Sequence, residues 1–163
     1  MRSLFFVFAL VLALSACKKT ATDRTAYLAQ IGIDSNKIRA YLLANNIPIK
    51  KVGDTIGVYY QILNPGNVAS LYSQSTLITV GYSAKIIDSA DTVSKTNSYH
   101  PSFTLGSVIR GWQVGIPLIK KNGRIRLFVP SRYAYGSYAQ TTNLKIPGNS
   151  CLDFDITLYN VTN

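Results

Sequence analysis

The side chains that most often perform covalent or acid–base chemistry are few in this chain, and they form no recognisable catalytic set. The single histidine, His100, precedes Pro101 in a polar stretch and belongs to no nucleophile motif. No phosphate-binding glycine loop and no zinc-protease histidine pair occurs. Asp153 and Asp155 alternate along one predicted strand, where we expect a solvated polar face. The sequence therefore argues against a hydrolase or a nucleotide-dependent enzyme, and it predicts no metal site and no cofactor.

The sequence predicts different chemical states for the two cysteines, Cys17 and Cys151. Residues 1–16 combine an early arginine with an apolar run that is shorter than the ~20 residues needed to cross a bilayer, which is typical of a secretory signal peptide. The tetrapeptide LSAC at 14–17 resembles the bacterial lipobox, which predicts cleavage before Cys17 and lipidation of its thiol. The alternative is an ordinary signal peptide in which Cys17 is incidental. Cys151 lies in an apolar stretch, where we expect a buried, unpaired thiol.

The charge is strongly positive, at +10 from 17 basic and 7 acidic residues. The basic residues are scattered or paired rather than gathered in one segment, and the predicted secretion argues against nucleic acid as a partner. We expect weak attraction to anionic surfaces of the cell envelope. The predicted location is the cell envelope, with the lipid anchor in a membrane. Lys18 after the cysteine favours the outer membrane, facing the periplasm or the cell surface.

The sequence divides the chain into four predicted segments. A signal peptide at 1–16 and a lipidated tether at 17–25 precede a helical N-terminal extension at 26–52. Asp34 and Ser35 are suitable N-cap residues for that helix, and Asn45-Asn46 is suited to end it. From residue 53 to residue 163 the apolar period changes to two, which predicts one sheet-forming domain.

Four stretches have the composition of strands, at 55–63, 77–87, 124–130 and 151–161, and a shorter one lies at 102–105. Residues 88–98 and 131–150 are polar and predicted to be loops. Residues 107–119 resemble a short helix and contain the single tryptophan, Trp112. The predicted fold class is α+β: a strongly curved antiparallel sheet, a half-barrel, wrapped around this one short helix, with the N-terminal helical extension outside it.

Aromatic residues and glycines recur where loops meet strands. The segments are FTLG at 103–106, VIRGW at 108–112, RYAYG at 132–136, IPGNS at 146–150 and LDFDITL at 152–158. In this order and spacing they resemble the FKBP family of peptidyl-prolyl cis–trans isomerases, in its bacterial lipoprotein form. The resemblance extends over about residues 53–162.

The resemblance implies an apolar pocket with Trp112 as its floor and with Gly111 leaving the space beside the indole open. It implies a backbone N–H at Ile109 that holds the substrate carbonyl and a Tyr135 hydroxyl that binds the ligand. Strand alternation independently places Tyr82 and Phe154 on apolar faces. The residues expected to carry catalysis are Tyr82, Ile109, Trp112, Tyr135 and Phe154, and those expected to bind substrate are Phe103, Val108, Ile146 and Val93.

The implied reaction needs no acid or base, because rotating a prolyl bond breaks no covalent bond. The expected partners are proline-containing polypeptide segments and macrolide-type inhibitors, and the expected state is a monomer. One departure from the family pattern leaves an alternative open. Val93-Ser94 stands where the family has Phe-Asp, so the domain is either an isomerase and folding factor or a catalytically weak module that grips proline-containing segments or an envelope partner. A third hypothesis is a structural lipoprotein held to anionic surfaces by charge.

Overall fold

The structure is a computed structural model that describes residues 2–53, 57–87, 89, 91–142 and 144–163, with the backbone alone for residues 2–22. The helices and strands are α1 (Arg2–Ala44), β1 (Tyr59–Asn64), β2 (Leu77–Ile86), β3 (Thr92–Lys95), β4 (Ser102–Thr104), α2 (Arg110–Gly115), β5 (Arg124–Val129) and β6 (Leu152–Thr162).

Contacts divide the chain into two units, Met1–Ile33 and Asp34–Asn163. The described part of the first unit is the first three-quarters of α1, on which Tyr27, Leu28 and Ile33 are exposed. Within the described residues no helix is both long and apolar enough to cross a membrane. The signal peptide and the lipidation remain predictions, because the side chain of Cys17 lies outside the described part of the chain.

The helix predicted to begin at Asp34 or Ser35 begins much earlier. Both residues lie inside α1, so the N-cap prediction was wrong. The carboxylate of Asp34 instead accepts hydrogen bonds from Ser131, far along the chain. The predicted end at Asn45-Asn46 is confirmed, because α1 stops at Ala44 and Asn46 adopts a positive φ of 53°.

The second unit contains a six-stranded antiparallel sheet in the order β1-β5-β6-β2-β3, which confirms the predicted fold class. The long strand β2 pairs with β6 along its whole length. On its other side β2 pairs first with β4 and then with β3, so these two short strands share one edge. Strand β1 begins at Tyr59, and positions 55 and 56 of the strand predicted there lie outside the described residues.

Strand β3 corrects the prediction of a loop over 88–98. Its residues carry no apolar alternation, and Thr96, which directly follows the strand, is hydrogen-bonded to Tyr82 on β2. The Tyr82 N–H donates to Thr96 Oγ1 at 2.8 Å, and the Thr96 N–H donates to the Tyr82 carbonyl at 2.9 Å. Since Val93 is the one apolar residue of this short strand, a hydrophobic pattern could not reveal it.

The concave face of the sheet packs around α2. The alternating residues predicted to face inward on β5 and β6 are buried, among them Ile125, Leu127 and Ile156. Glycines bring the helix close to β5. A Cβ at Gly111 would lie 2.5 Å from Val129 Cγ1, and the next-turn Gly115 is equally tight against Leu127. Gly111 therefore permits close packing, and the expectation of open space beside the indole was wrong.

The convex face of the sheet is covered by the last turns of α1. Ile38 and Leu42 are fully buried there with Tyr59, Phe128 and Cys151. Cys151 is a free, buried thiol, as predicted, and burial raises its pKa to about 12.

The predicted solvated face of β6 is wrong at Asp153 and correct only in part at Asp155. Asp153 is 5% exposed because it lies under α1, where Tyr41 donates to it at 3.0 Å and Arg126 forms an ion pair with it. Asp155 is more exposed and forms a bidentate pair with Arg124 at 2.8 Å. On the polar side of β6, Asp153 is thus held between the sheet and α1, whereas Asp155 is held by Arg124 at a more exposed position.

Candidate active site

A cavity of about 300 Å³ opens on the concave face of the sheet, and its floor is Trp112. The indole is only 4% exposed. Three aromatic rings stand nearly perpendicular to it, with centroid distances of 5.1 Å for Tyr82, 5.4 Å for Phe154 and 6.2 Å for Phe103. Edge-to-face contacts of this kind are favourable for aromatic pairs. They fix the orientation of the floor before any ligand arrives.

Each wall comes from a different element. Tyr82 lies on β2, Phe154 on β6 and Phe103 on β4, and strand pairing brings Ala84 opposite Phe154. The apolar residues that complete the lining are Ala84, Val108, Ile109, Leu144 and Ile146. The residues immediately before α2 are held by Gln113, whose amide donates to the Val108 carbonyl at 2.8 Å.

Two hydroxyl groups line the cavity on the side of β3. Tyr82 Oη and Ser94 Oγ are hydrogen-bonded at 3.1 Å. Ser94 lies opposite Ala84 in the sheet and reaches the cavity, whereas Val93 packs against the core and does not line it. The sequence predicted a loop at these positions, so there was no strand alternation to show which of the two side chains faces the cavity. Val93 was therefore named as the lining residue, whereas the structure has Ser94 there.

The loop after β5 brings Tyr135 to the cavity. The Ser131 carbonyl accepts hydrogen bonds from the N–H groups of Ala134 at 3.0 Å and Gly136 at 2.8 Å, the residues on either side of Tyr135. Gly136 has φ +65°, a conformation that favours glycine. Burial, and secondarily the neighbouring Tyr82, raise the pKa of Tyr135, so its hydroxyl keeps its proton well into the alkaline range.

Eight of the nine residues predicted for the pocket line this cavity, and Val93 is the one that does not. The eight are Tyr82, Phe103, Val108, Ile109, Trp112, Tyr135, Ile146 and Phe154. Sequence reasoning missed Ala84, Ser94, Ser107 and Leu144 as lining residues. Ala84 had a usable signal, since it alternates in phase with Tyr82. Leu144 and Ser107 lie outside any regular strand, so no alternation pattern could identify them as lining residues.

The cavity is built for packing and hydrogen bonding rather than for proton transfer. Among the described residues that line it, none carries a carboxyl, imidazole or amine group. Trp112 Nε1 is buried and has no hydrogen-bond partner among the described residues. The site can therefore enclose an apolar ring, exclude water and offer hydroxyl and backbone groups to a neighbouring carbonyl.

The fold and the pocket together define an α+β domain with an apolar cavity on the concave face of a curved antiparallel sheet. The family model for FKBP-type peptidyl-prolyl cis-trans isomerases matches residues 70–159, and the chain belongs to this family.

Individual relatives agree with this assignment. The FKBP-type peptidyl-prolyl cis-trans isomerase FkpA of Buchnera aphidicola subsp. Baizongia pistaciae is 35% identical over 130 residues, covering 78% of this chain and 50% of that protein. FK506-binding protein 1 of Saccharomyces cerevisiae is 31% identical over 102 residues, covering 61% of this chain and 88% of that protein. The crystal structure of FkpA from Escherichia coli matches with a TM-score of 0.67 and 27% identity, covering 93% of this chain and 71% of that one. The chain spans about half the length or less of the FkpA relatives that it matches.

Proposed function

We propose that this protein catalyses cis–trans isomerisation of X-Pro bonds in exported polypeptides. The observation that carries the proposal is the apolar cavity over Trp112, whose lining includes no ionisable acid or base outside its two tyrosines. The barrier to rotation, ~18–20 kcal/mol, arises from amide resonance. A twisted amide is less dipolar than a planar one, so a water-free apolar site favours it over the ground state.

Each group has a distinct part in this mechanism. The proline ring packs on the face of Trp112, between the edges of Tyr82 and Phe154. The backbone N–H of Ile109 and the hydroxyl of Tyr135 bind carbonyl oxygens on the two sides of the rotating bond. The raised pKa of Tyr135 supports its part, because a protonated hydroxyl is needed to donate. No step requires a proton to leave the protein.

We propose that the same pocket binds the macrolide FK506. The support is the name of the yeast relative, an FK506-binding protein that this chain matches over most of that protein's length. The macrolide and a proline-containing peptide would then compete for the space over Trp112.

The proposed location is the cell envelope, with Cys17 as the lipid attachment point. The support is the lipobox-like LSAC at 14–17 and the apolar run that precedes it. Metabolic labelling with a palmitate analogue tests this: wild-type protein should incorporate the label, and Cys17→Ser should not.

The isomerase proposal is tested with the wild-type domain and two variants in a refolding reaction limited by one prolyl bond. We expect wild type to accelerate the slow phase. Trp112→Leu keeps an apolar side chain but removes the flat floor, and it should lower kcat/KM at least tenfold while circular dichroism shows a folded domain. Tyr99→Ala is the control, because Tyr99 is 75% exposed and is not among the residues lining the cavity. It should leave the rate unchanged.

A binding module without useful catalysis is the second candidate. Ser94 favours it, since a serine stands at the cavity wall where the family pattern implies a carboxylate. FK506 binding, followed by the fluorescence of Trp112, separates the two. Saturable binding without any acceleration of refolding would establish the binding module and refute the isomerase.

A further inference from the structure

Asp34 is a buried carboxylate on α1, outside the residues that the family model matches. It is 1% exposed, and burying a carboxylate is costly unless hydrogen bonds stabilise its charge. Its Oδ2 accepts two hydrogen bonds from Ser131, one from the backbone N–H at 2.9 Å and one from Oγ at 2.7 Å. Hydrogen bonds to a charged acceptor are stronger than neutral ones. Ser131, itself 1% exposed, is therefore fixed from both its backbone and its side chain.

Ser131 in turn sets the conformation of the loop that carries Tyr135. Its carbonyl accepts the N–H groups of Ala134 and Gly136, which flank Tyr135 on both sides. The Gly136 carbonyl then accepts the N–H of Asn149 at 2.7 Å, which ties the loop to the segment before β6. A chain of hydrogen bonds thus runs from Asp34 through Ser131 to Ala134 and Gly136, the two residues that flank Tyr135.

The position of Ser131 gives this path a functional consequence. It comes two residues after Val129, the β5 residue on which Gly111 packs beside the pocket floor. A shift of Ser131 would move Tyr135 relative to a floor that β5 keeps in place. Hydroxyl groups that bind a substrate must hold their position closely to be effective.

We propose that Asp34 is a positioning residue, which acts through Ser131 to hold the Tyr135 hydroxyl in place over the pocket. This proposal rests on the proposed function for the role of Tyr135, and its structural half, the fixing of the loop by Asp34, stands independently. The C-terminal part of α1 would then contribute to the site through Asp34, in addition to packing on the convex face of the sheet.

Three variants of the full chain separate the interactions. Asp34→Ala removes the acceptor, Asp34→Asn keeps an oxygen at that place without the charge, and Ser131→Ala removes the Oγ bond but keeps the N–H bond. Ile38→Val is the matched control: it trims a fully buried side chain one turn along the same helix and leaves the Asp34–Ser131 bonds intact.

Hydrogen exchange at the amides of Ala134 and Gly136 measures the loop directly, without any assay of activity. We expect at least tenfold faster exchange in Asp34→Ala, an intermediate rise in Ser131→Ala and in Asp34→Asn, and less than a twofold change in Ile38→Val. If Asp34→Ala leaves both amides as protected as in wild type, or if Ile38→Val exposes them equally, the proposal is overturned whether or not the protein is an isomerase.

Kinetics on a chromogenic tetrapeptide with one Leu-Pro bond test the link to Tyr135. We expect kcat/KM to fall five- to tenfold in Asp34→Ala and two- to threefold in Asp34→Asn. In a Tyr135→Phe background the same Asp34→Ala change should cost less than twofold, because the hydroxyl that it positions is already absent. An equal loss in both backgrounds would overturn the positioning role. An inactive wild type would instead refute the proposed function, and the exchange measurement would still decide the structural half.

Discussion

At the scale of single residues, the pocket differs from the family pattern in its charge. Ser94 makes a neutral hydrogen bond with Tyr82 at the place where the family pattern implies a carboxylate. Another hydroxyl at the cavity, that of Tyr135, has its pKa raised by burial and by Tyr82.

Activity should therefore be independent of pH between about 5 and 9, since the described lining holds no carboxyl, imidazole or amine group and burial raises the pKa of the Tyr135 hydroxyl. Ser94→Asp should add a step on the acid side of the profile of kcat/KM, because the new carboxyl changes charge in that range. The rate is measured from pH 4 to pH 9 with the Leu-Pro tetrapeptide. Ser107→Asp is a useful comparison at another lining position, where Tyr82 is not the hydrogen-bond partner. A wild-type profile that titrates near neutrality would contradict the assignment of a neutral site.

At the scale of elements, the six-residue helix α2 is too short to be stable alone and depends on its contact with β5. Gly111 and Gly115 lie one turn apart and face Val129 and Leu127, both fully buried. This contact sets the depth of Trp112, which lies between the two glycines. A side chain at either glycine would separate helix and strand.

Gly111→Ala should destabilise the domain by about 1–2 kcal/mol, although alanine favours helix by up to about 1 kcal/mol, because overpacking a rigid core costs about 1–3 kcal/mol. The double variant Gly111→Ala/Val129→Ala should be more stable than the sum of the two single changes predicts, because removing the Val129 methyls relieves the clash. Urea unfolding curves for the four proteins give both quantities. If the losses in unfolding free energy of the two single variants simply add in the double variant, Gly111 is not what allows the close approach of α2 to β5.

The sequence predicted the elements that depend on the pattern of neighbouring residues. It missed those that depend on contacts between residues distant in the chain. Alternation along β2 and β6 correctly placed Tyr82 and Phe154 on the concave face. The same reasoning failed for β3, whose Ser94 is hydrogen-bonded to Tyr82, and for Asp34, whose partner Ser131 is 97 positions away. The residues next to Asp34 do not show whether its carboxylate caps a helix or binds a distant loop.

At the scale of the whole molecule, the two faces of the sheet have different tasks. The concave face holds the pocket, and the convex face buries polar and titratable groups beneath the last turns of α1. Among these groups, Cys151 is fully buried and Tyr41 is hydrogen-bonded to Asp153. Burial is the main cause that raises the pKa of both groups, with Asp153 adding to it for Tyr41. Deprotonation of either group therefore opposes folding.

The domain should lose stability in alkali, beginning with Cys151. Its thiol has a pKa of about 12 in the folded protein against 9.0 for an exposed thiol, so its contribution is fully present below pH 9 and is lost as the pH rises towards 12. By linkage this one group removes about 2–3 kcal/mol of unfolding free energy by about pH 11. Tyr41, Tyr72 and Tyr135, whose pKa values are raised above 10.0, add a further loss at higher pH.

Cys151→Ala isolates the thiol, because it keeps the three tyrosines and leaves only a small cavity. At pH 8 the variant should be less stable than wild type by the cost of that cavity, about 1 kcal/mol. As the pH rises to about 11 the wild-type curve should fall faster, so that the two proteins converge and then cross. Urea denaturation at intervals between these pH values, under reducing conditions, measures the difference. Parallel curves would show that the thiol ionises as easily in the folded protein as in the unfolded chain, contrary to its burial between α1 and the sheet.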